Sequence, residues 1–429
     1  MNIRTVLGSL VFFAACEAFG AQAPILLRRS HAPIPPQEPD SSVLREVSVT
    51  VNIPAARDAS RLSLPLFDGN RMLELIRSGS AVQRDGSVIW SGRVAGQPAS
   101  TVLFSTRGDI LAANIATQPT REGPAEFFEI RFVGPDHVLR RIDPSKLRSE
   151  GNPIPSGALN EPETATCTSD PGDEIDVLVL FTPKASKRGG GADAMRESIH
   201  VYMAEANLAN TQSLVSTRFR LVGAEEMAYE ESGHPANDLS SLQRSGGALA
   251  DAHSRRDTLG ADVVVLIVDY TQEQIDATTC GNAFLMETPS NAFEGSAFAV
   301  VPRRCADRTN SFTHEIGHLM GARHDWADDA SAASPRKPFP FSHGFVHLPG
   351  GNAGPRFRTL MAKDDECKLA HRRCDRVVFW SNPDLELPQT GTRLGVAAGD
   401  EPSNNAETLR KTSPVVANFR CRKTTAAPP

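Results

Sequence analysis

The sequence predicts an α/β domain built on a mixed twisted sheet and preceded by a small β-rich domain. Three observations carry that prediction. Strand-like and helix-like apolar runs alternate from Ile175 onward, short β-prone runs punctuated by Gly, Asp and Asn fill 43–142, and a Pro-, Ser- and Gly-containing stretch at 144–173 separates the two.

Composition sets the outer limits. The 429 residues carry a net charge of −6 and a pI near 6.0, so no basic surface advertises nucleic acid. Length suggests two or three domains, and 40% hydrophobic with 22% charged residues describes an ordinary globular protein. Arg4, the apolar run Thr5–Ala15 and the small residues of Ala18–Ala23 read as a signal peptide over 1–23, cleaved near Gly20 or Ala23. Phe13-Ala14-Ala15-Cys16 leaves open a lipid anchor on Cys16. No later run is long enough to span a bilayer, so a secreted or periplasmic protein is expected.

Residues 24–42 are a Pro-rich lead-in. Val47–Val51, Ser87–Trp90, Thr101–Phe104 and Phe127–Phe132 are the strands that mark 24–143 as a β-rich domain. It holds no catalytic constellation, and is either a propeptide or a permanent accessory domain. After the linker, Ile175–Phe181 reads as a buried strand, Ala192–Ser216 as helix and Phe219–Val222 as strand. Asp238–Leu259 reads as helix, Ala261–Val268 as strand, and Phe298–Val301 as a further strand. The catalytic domain is expected over 174–421, with 422–429 a flexible tail.

The chemistry is concentrated in His314-Glu315-Ile316-Gly317-His318-Leu319-Met320-Gly321-Ala322-Arg323-His324-Asp325. His314 and His318 are four apart and share one face of a helix, so both grip one ion. Glu315 points beside that ion, where a general base belongs. His324 joins them only if the helix ends first, and Gly321 tolerates the left-handed conformation that ends it. Three neutral imidazoles leave a fourth tetrahedral position for water, the arrangement of catalytic zinc.

His314-Glu315-x-x-His318-x-x-Gly321-x-x-His324-Asp325 resembles the elongated zinc signature of the metzincin metalloproteases, with Asp325 pointing to the reprolysin (adamalysin-like) branch. Phe357-Arg358-Thr359-Leu360-Met361-Ala362 resembles their methionine turn, with Met361 in the methionine position. Trp380-Ser381-Asn382-Pro383, Asn404-Asn405-Ala406 and Val416-Ala417-Asn418-Phe419 resemble bacterial secreted members, the peptidyl-Asp metallopeptidases among them. The resemblance spans about Asp173 to Cys421. It implies a metzincin-like fold, one catalytic Zn2+ and hydrolysis of peptide bonds in protein or peptide substrates. Lys363 departs from the tyrosine usual two residues after the methionine, so no tyrosine stabilises a transition state there. The resemblance also implies that Gly281, Asn282, Ala283 and Phe284 form the edge strand along which substrate lies.

The expected enzyme is an exported zinc endopeptidase made as a zymogen, inhibited by its own propeptide and monomeric. A non-catalytic binding protein that kept the fold would have lost a ligand or the base, and none is missing. Arg356, Arg358 and Lys363 are the cations available to receive an acidic substrate residue. Asp325 is expected to brace the motif through local hydrogen bonds. His343 and His347, four apart in a Gly- and Phe-rich stretch, read as ordinary packing or surface residues, and His200, His234, His253 and His371 take no role. No loop carries a clear calcium-ligand series.

Of 7 cysteines, Cys16 lies in the signal region. Sequence order suggests Cys280 with Cys305 and Cys367 with Cys374 as local clips and Cys167 with Cys421 across the catalytic region, one of about 15 pairings that six cysteines allow. The alternative for Cys167 is a thiolate on zinc that holds the zymogen latent.

Overall fold

The computed structural model describes residues 23–120, 123–156, 167, 170, 172–331, 333–350, 354–388 and 390–423. The signal peptide, the Cys16 alternative and residues 424–429 lie outside them.

Nine antiparallel strands follow from the alternating apolar residues of the first domain. They are β1 (Leu27–Arg29), β2 (Val43–Val51), β3 (Arg61–Leu66), β4 (Arg71–Val82), β5 (Val88–Val94), β6 (Thr101–Arg107), β7 (Ile110–Ala116), β8 (Phe127–Val133) and β9 (Asp136–Ile142). Their order is β1-β2-β9-β8-β7-β6-β5-β4-β3. The Leu26 N–H donates to Ser63 O and the Ser63 N–H to Pro24 O, both at 2.9 Å, so the two edges meet. That bridge ties the two ends of the sheet together and shortens the edge open to other chains. Trp90 stacks on Phe104 at 4.6 Å inside the closed sheet, and Leu64, Leu75, Ile115 and Phe128 fill the remainder.

The second domain is mixed α/β. Strands β10 (Ile154–Pro155), β11 (Glu174–Phe181), β12 (Arg218–Glu226), β13 (Val263–Val268), β14 (Asn282–Leu285) and β15 (Phe298–Pro302) lie in the order β10-β14-β15-β13-β11-β12. β12, β11, β13 and β15 are parallel, and β14 runs antiparallel to β15. Every residue of β13 is buried, as its unbroken Val-Val-Val-Leu-Ile-Val run requires of a strand covered on both faces.

Two expectations need correction. The single helix over Asp238–Leu259 is two, Pro235–Gln243 and Ala250–Leu259. Gly246-Gly247 breaks it, with Gly247 at φ +94°, a conformation that ends helical hydrogen bonding. The linker, which shows little apolar periodicity, supplies β10, which pairs with β14 in parallel at Ile154↔Phe284 and Pro155↔Leu285. The edge strand expected to be open is therefore covered.

The helix Ala192–Gln212 sits between the domains, Val201 packing on Leu103 and Ala112. Arg131 pairs with Asp307 and Arg308 with Glu129, both at 2.8 Å and all almost fully buried. His200, given no role in the sequence, reaches Asp85 across the same interface at 2.9 Å. Disulfides join Cys167 to Cys421, Cys280 to Cys305 and Cys367 to Cys374, which excludes a free Cys167 thiolate.

Candidate metal centre and active site

The helix Ser311–Leu319 delivers the first two imidazoles. It stops where Gly321 takes φ +84°, and the Ala322 N–H turns back to Gly317 O at 2.9 Å. That reversal brings His324 over the helix, as a continuing helix would not. His314 Nε2 and His318 Nε2 each lie 3.1 Å from His324 Nε2.

The other ring nitrogens fix the tautomers. His314 Nδ1 donates to Leu360 O at 2.9 Å, His318 Nδ1 to Ala322 O at 2.8 Å, and His324 Nδ1 meets Asp328 Oδ2 at 2.5 Å. With every Nδ1 carrying the proton, the Nε2 atoms face one another as bare lone pairs. Burial lowers all three pKa values, that of His314 to about 3, so the rings stay neutral. Such a cluster needs a cation at its centre. Zinc–nitrogen bonds of ~2.0–2.1 Å place tetrahedral ligand nitrogens roughly 3.3 Å apart, close to the separation here.

Glu315 is fully buried, and neither carboxylate oxygen has a hydrogen-bond partner among the described residues. Burial and the nearby Glu150 charge push its pKa well above the usual range, against Lys363 and Arg376. Its carboxylate fits against Gly281, where an added Cβ would stand 2.6 Å from Oε1. Gly281→Ala should therefore displace the carboxylate and lower peptide hydrolysis roughly 10–100-fold with metal content unchanged, measured as kcat/KM beside metal analysis.

Met361 lies beneath the helix, its Sδ 2.6 Å from where a Gly317 Cβ would be. Its neighbour Leu360 supplies the carbonyl that orients His314. Asp325 accepts from the Lys363 N–H at 2.9 Å and the Asp328 N–H at 3.2 Å, bracing the loop as expected. His343 packs behind His324, Nδ1 on His324 O at 3.0 Å, and stacks on Trp326. His347 has no place in the cluster.

The sequence reading missed four residues. Asp328, four after His324, holds His324 and also accepts Lys363 Nζ at 2.9 Å. Asn152 Oδ1 accepts the same amine at 2.6 Å, so Lys363 is committed and is not a free cation for substrate. Glu150 is buried beside the site, where Arg376 grips it with both terminal nitrogens, at 2.5 and 2.8 Å. Burial pushes the Glu150 carboxyl up, but Arg376 more than offsets this and holds it well below the usual range. Asp328 alone had a signal, its i+4 spacing from His324. A Glu in a Pro- and Gly-containing linker had none.

Behind the helix, Thr313 Oγ1 donates to buried Glu205 at 3.2 Å. Burial raises the Glu205 pKa to about 7 from 4.5. Between those values the folded chain holds a proton that the unfolded chain releases, so stability falls as pH rises through the window. Glu205→Gln should remove that part of the slope, on the order of 2–3 kcal/mol, read from denaturant unfolding of both proteins at pH 5 and pH 8.

Residues 172–377 match the model of Reprolysin_5, metallo-peptidase family M12. Together with the relatives that follow, this match makes the chain a metallopeptidase. Relatives run through both domains. A peptidyl-Asp metalloendopeptidase of Stenotrophomonas maltophilia (strain R551-3) is 29% identical over 399 residues, covering 89% of this chain and 88% of that protein. One of Xanthomonas campestris pv. campestris is 27% identical over 450 residues, covering 98% and 99%. Among solved structures, metalloproteinase-II from Bacteroides fragilis overlaps 63% of this metallopeptidase and 82% of that chain, at TM-score 0.41 and 12% identity. No helix among the described residues is long and apolar enough to cross a membrane.

Proposed function

We propose that this metallopeptidase is an exported zinc endopeptidase, made as a zymogen and held latent by its own N-terminal region. The observation that carries the reading is the convergence of three bare imidazole nitrogens beside an unpartnered carboxylate. His314, His318 and His324 are the ligands. Zinc held there supplies a Lewis acid and brings the pKa of a bound water to about 7. Glu315 accepts the proton of the attacking water and passes it to the departing amine. The Leu360, Ala322 and Asp328 acceptors hold the three rings in register throughout. No side chain acts as nucleophile, so no covalent intermediate forms.

Latency is supported by residues 149–155, which lie along β14. The Cys280 N–H donates to Ser149 O at 3.1 Å and the Gly151 N–H to Gly281 O at 2.9 Å, and β10 continues the pairing. An extended substrate needs the same main-chain groups. The reading makes 24–143 the inhibitory propeptide domain and Met361 the floor of the metal site. Gly281, Asn282, Ala283 and Phe284 become the substrate strand once the linker leaves.

The relatives are peptidyl-Asp metalloendopeptidases, which supports a preference for aspartate, and Arg356 and Arg358 near Met361 suit an acidic side chain. The test is hydrolysis of denatured casein, followed by sequencing of new termini from a peptide library. Chelation with 1,10-phenanthroline should abolish cleavage, zinc should restore it, and acidic residues should flank the new termini. Cleavage that survives complete metal removal would end this reading.

A further inference from the structure

We propose that Arg376 is the residue that receives the acidic side chain of the substrate, and that Glu150 of the linker occupies its place in the full chain. The proposal rests on the endopeptidase reading and names the specificity residue of that site.

Glu150 is held as a ligand is held. Its side chain is 1% exposed. Oε1 accepts from Arg376 and from Ser311 Oγ at 2.7 Å, and Oε2 from the second Arg376 nitrogen. Ser311 opens the histidine helix, three residues before His314. Arg376 also donates to Thr309 O and, at 3.5 Å, to Ala362 O, the residue after Met361. The guanidinium thus stands between the two elements that frame the imidazoles. The neighbours of Glu150 are bonded to Cys280 and Gly281, so the carboxylate is presented from a chain lying where substrate would lie.

Charge balance argues the same way. Arg358 lies partly buried beside Arg376, and desolvation together with that second cation lowers its pKa to about 10. The Nε atoms of both residues lack partners among the described residues. When 149–155 leaves, Arg376 loses its bidentate carboxylate. An aspartate side chain restores the planar fork pairing, whereas asparagine offers one acceptor and no charge. A site built around a buried ion strongly rejects a ligand that leaves the ion unpaired.

The test uses the zinc-loaded full chain silenced by Glu315→Gln, with Glu150→Gly, which removes the side chain from the fork and lets peptide compete with the linker for its place. Two fluorescent hexapeptides that differ only as Asp against Asn are titrated by anisotropy. The aspartate peptide should bind at least about 30-fold tighter. Adding Arg376→Met should bring the ratio below about 3, and Arg376→Lys, which keeps charge without the fork, should fall between. Zinc content and near-ultraviolet circular dichroism report folding, and if the Met variant loses either, the Lys variant decides. A ratio that stays near 30 without Arg376, or no selectivity before its removal, overturns the proposal. Hydrolysis is scored separately with Glu315 intact. Aspartate-selective binding without any cleavage would sink the endopeptidase reading and leave Arg376 as the carboxylate receptor.

Discussion

Glu315→Gln should lower peptide hydrolysis by roughly 10²–10⁴-fold while the protein keeps its zinc. The carboxylate makes no hydrogen bond among the described residues and touches none of the structural networks, so an amide of the same shape leaves the fold intact. It removes only the capacity to accept a proton. The imidazole acceptors Leu360, Ala322 and Asp328 are untouched by the change, which is why metal affinity should hold. Rates on casein and zinc content measured on the same sample check both halves. Undiminished hydrolysis would place the base elsewhere.

Replacing Cys167 and Cys421 together by alanine should cost about 2–5 kcal/mol of stability without raising the activity of the full chain. The bond closes a sequence separation of 254 residues and ties the entry of β11 to the C-terminal end of the domain. Cross-links over long loops restrict the unfolded chain most. Were Cys167 instead a zinc-bound latency switch, its loss would release activity. Urea unfolding and casein hydrolysis of the double variant separate the two outcomes.

Much of the site was legible because local geometry specifies it. The i,i+4 spacing of His314 and His318 and the helix-ending Gly321 together determine where His324 must come. The apolar runs of β11 and β13 gave the sheet for the same reason, since continuous burial leaves a continuous pattern. What stayed hidden depends on contacts between distant segments. Glu150 and Arg376 lie 226 residues apart, and β10 is two residues whose pairing with β14 leaves no periodicity to read. The broken helix at Gly246-Gly247 was visible in principle. There apolar spacing on either side outweighed two glycines in the reading, and the backbone obeyed the glycines.

The most direct test of the zinc site is metal stoichiometry on never-chelated full chain by inductively coupled plasma mass spectrometry. The account predicts one zinc per chain, lost when His318 is replaced by alanine. Protein free of any transition metal, or zinc that remains after His318→Ala, would contradict it.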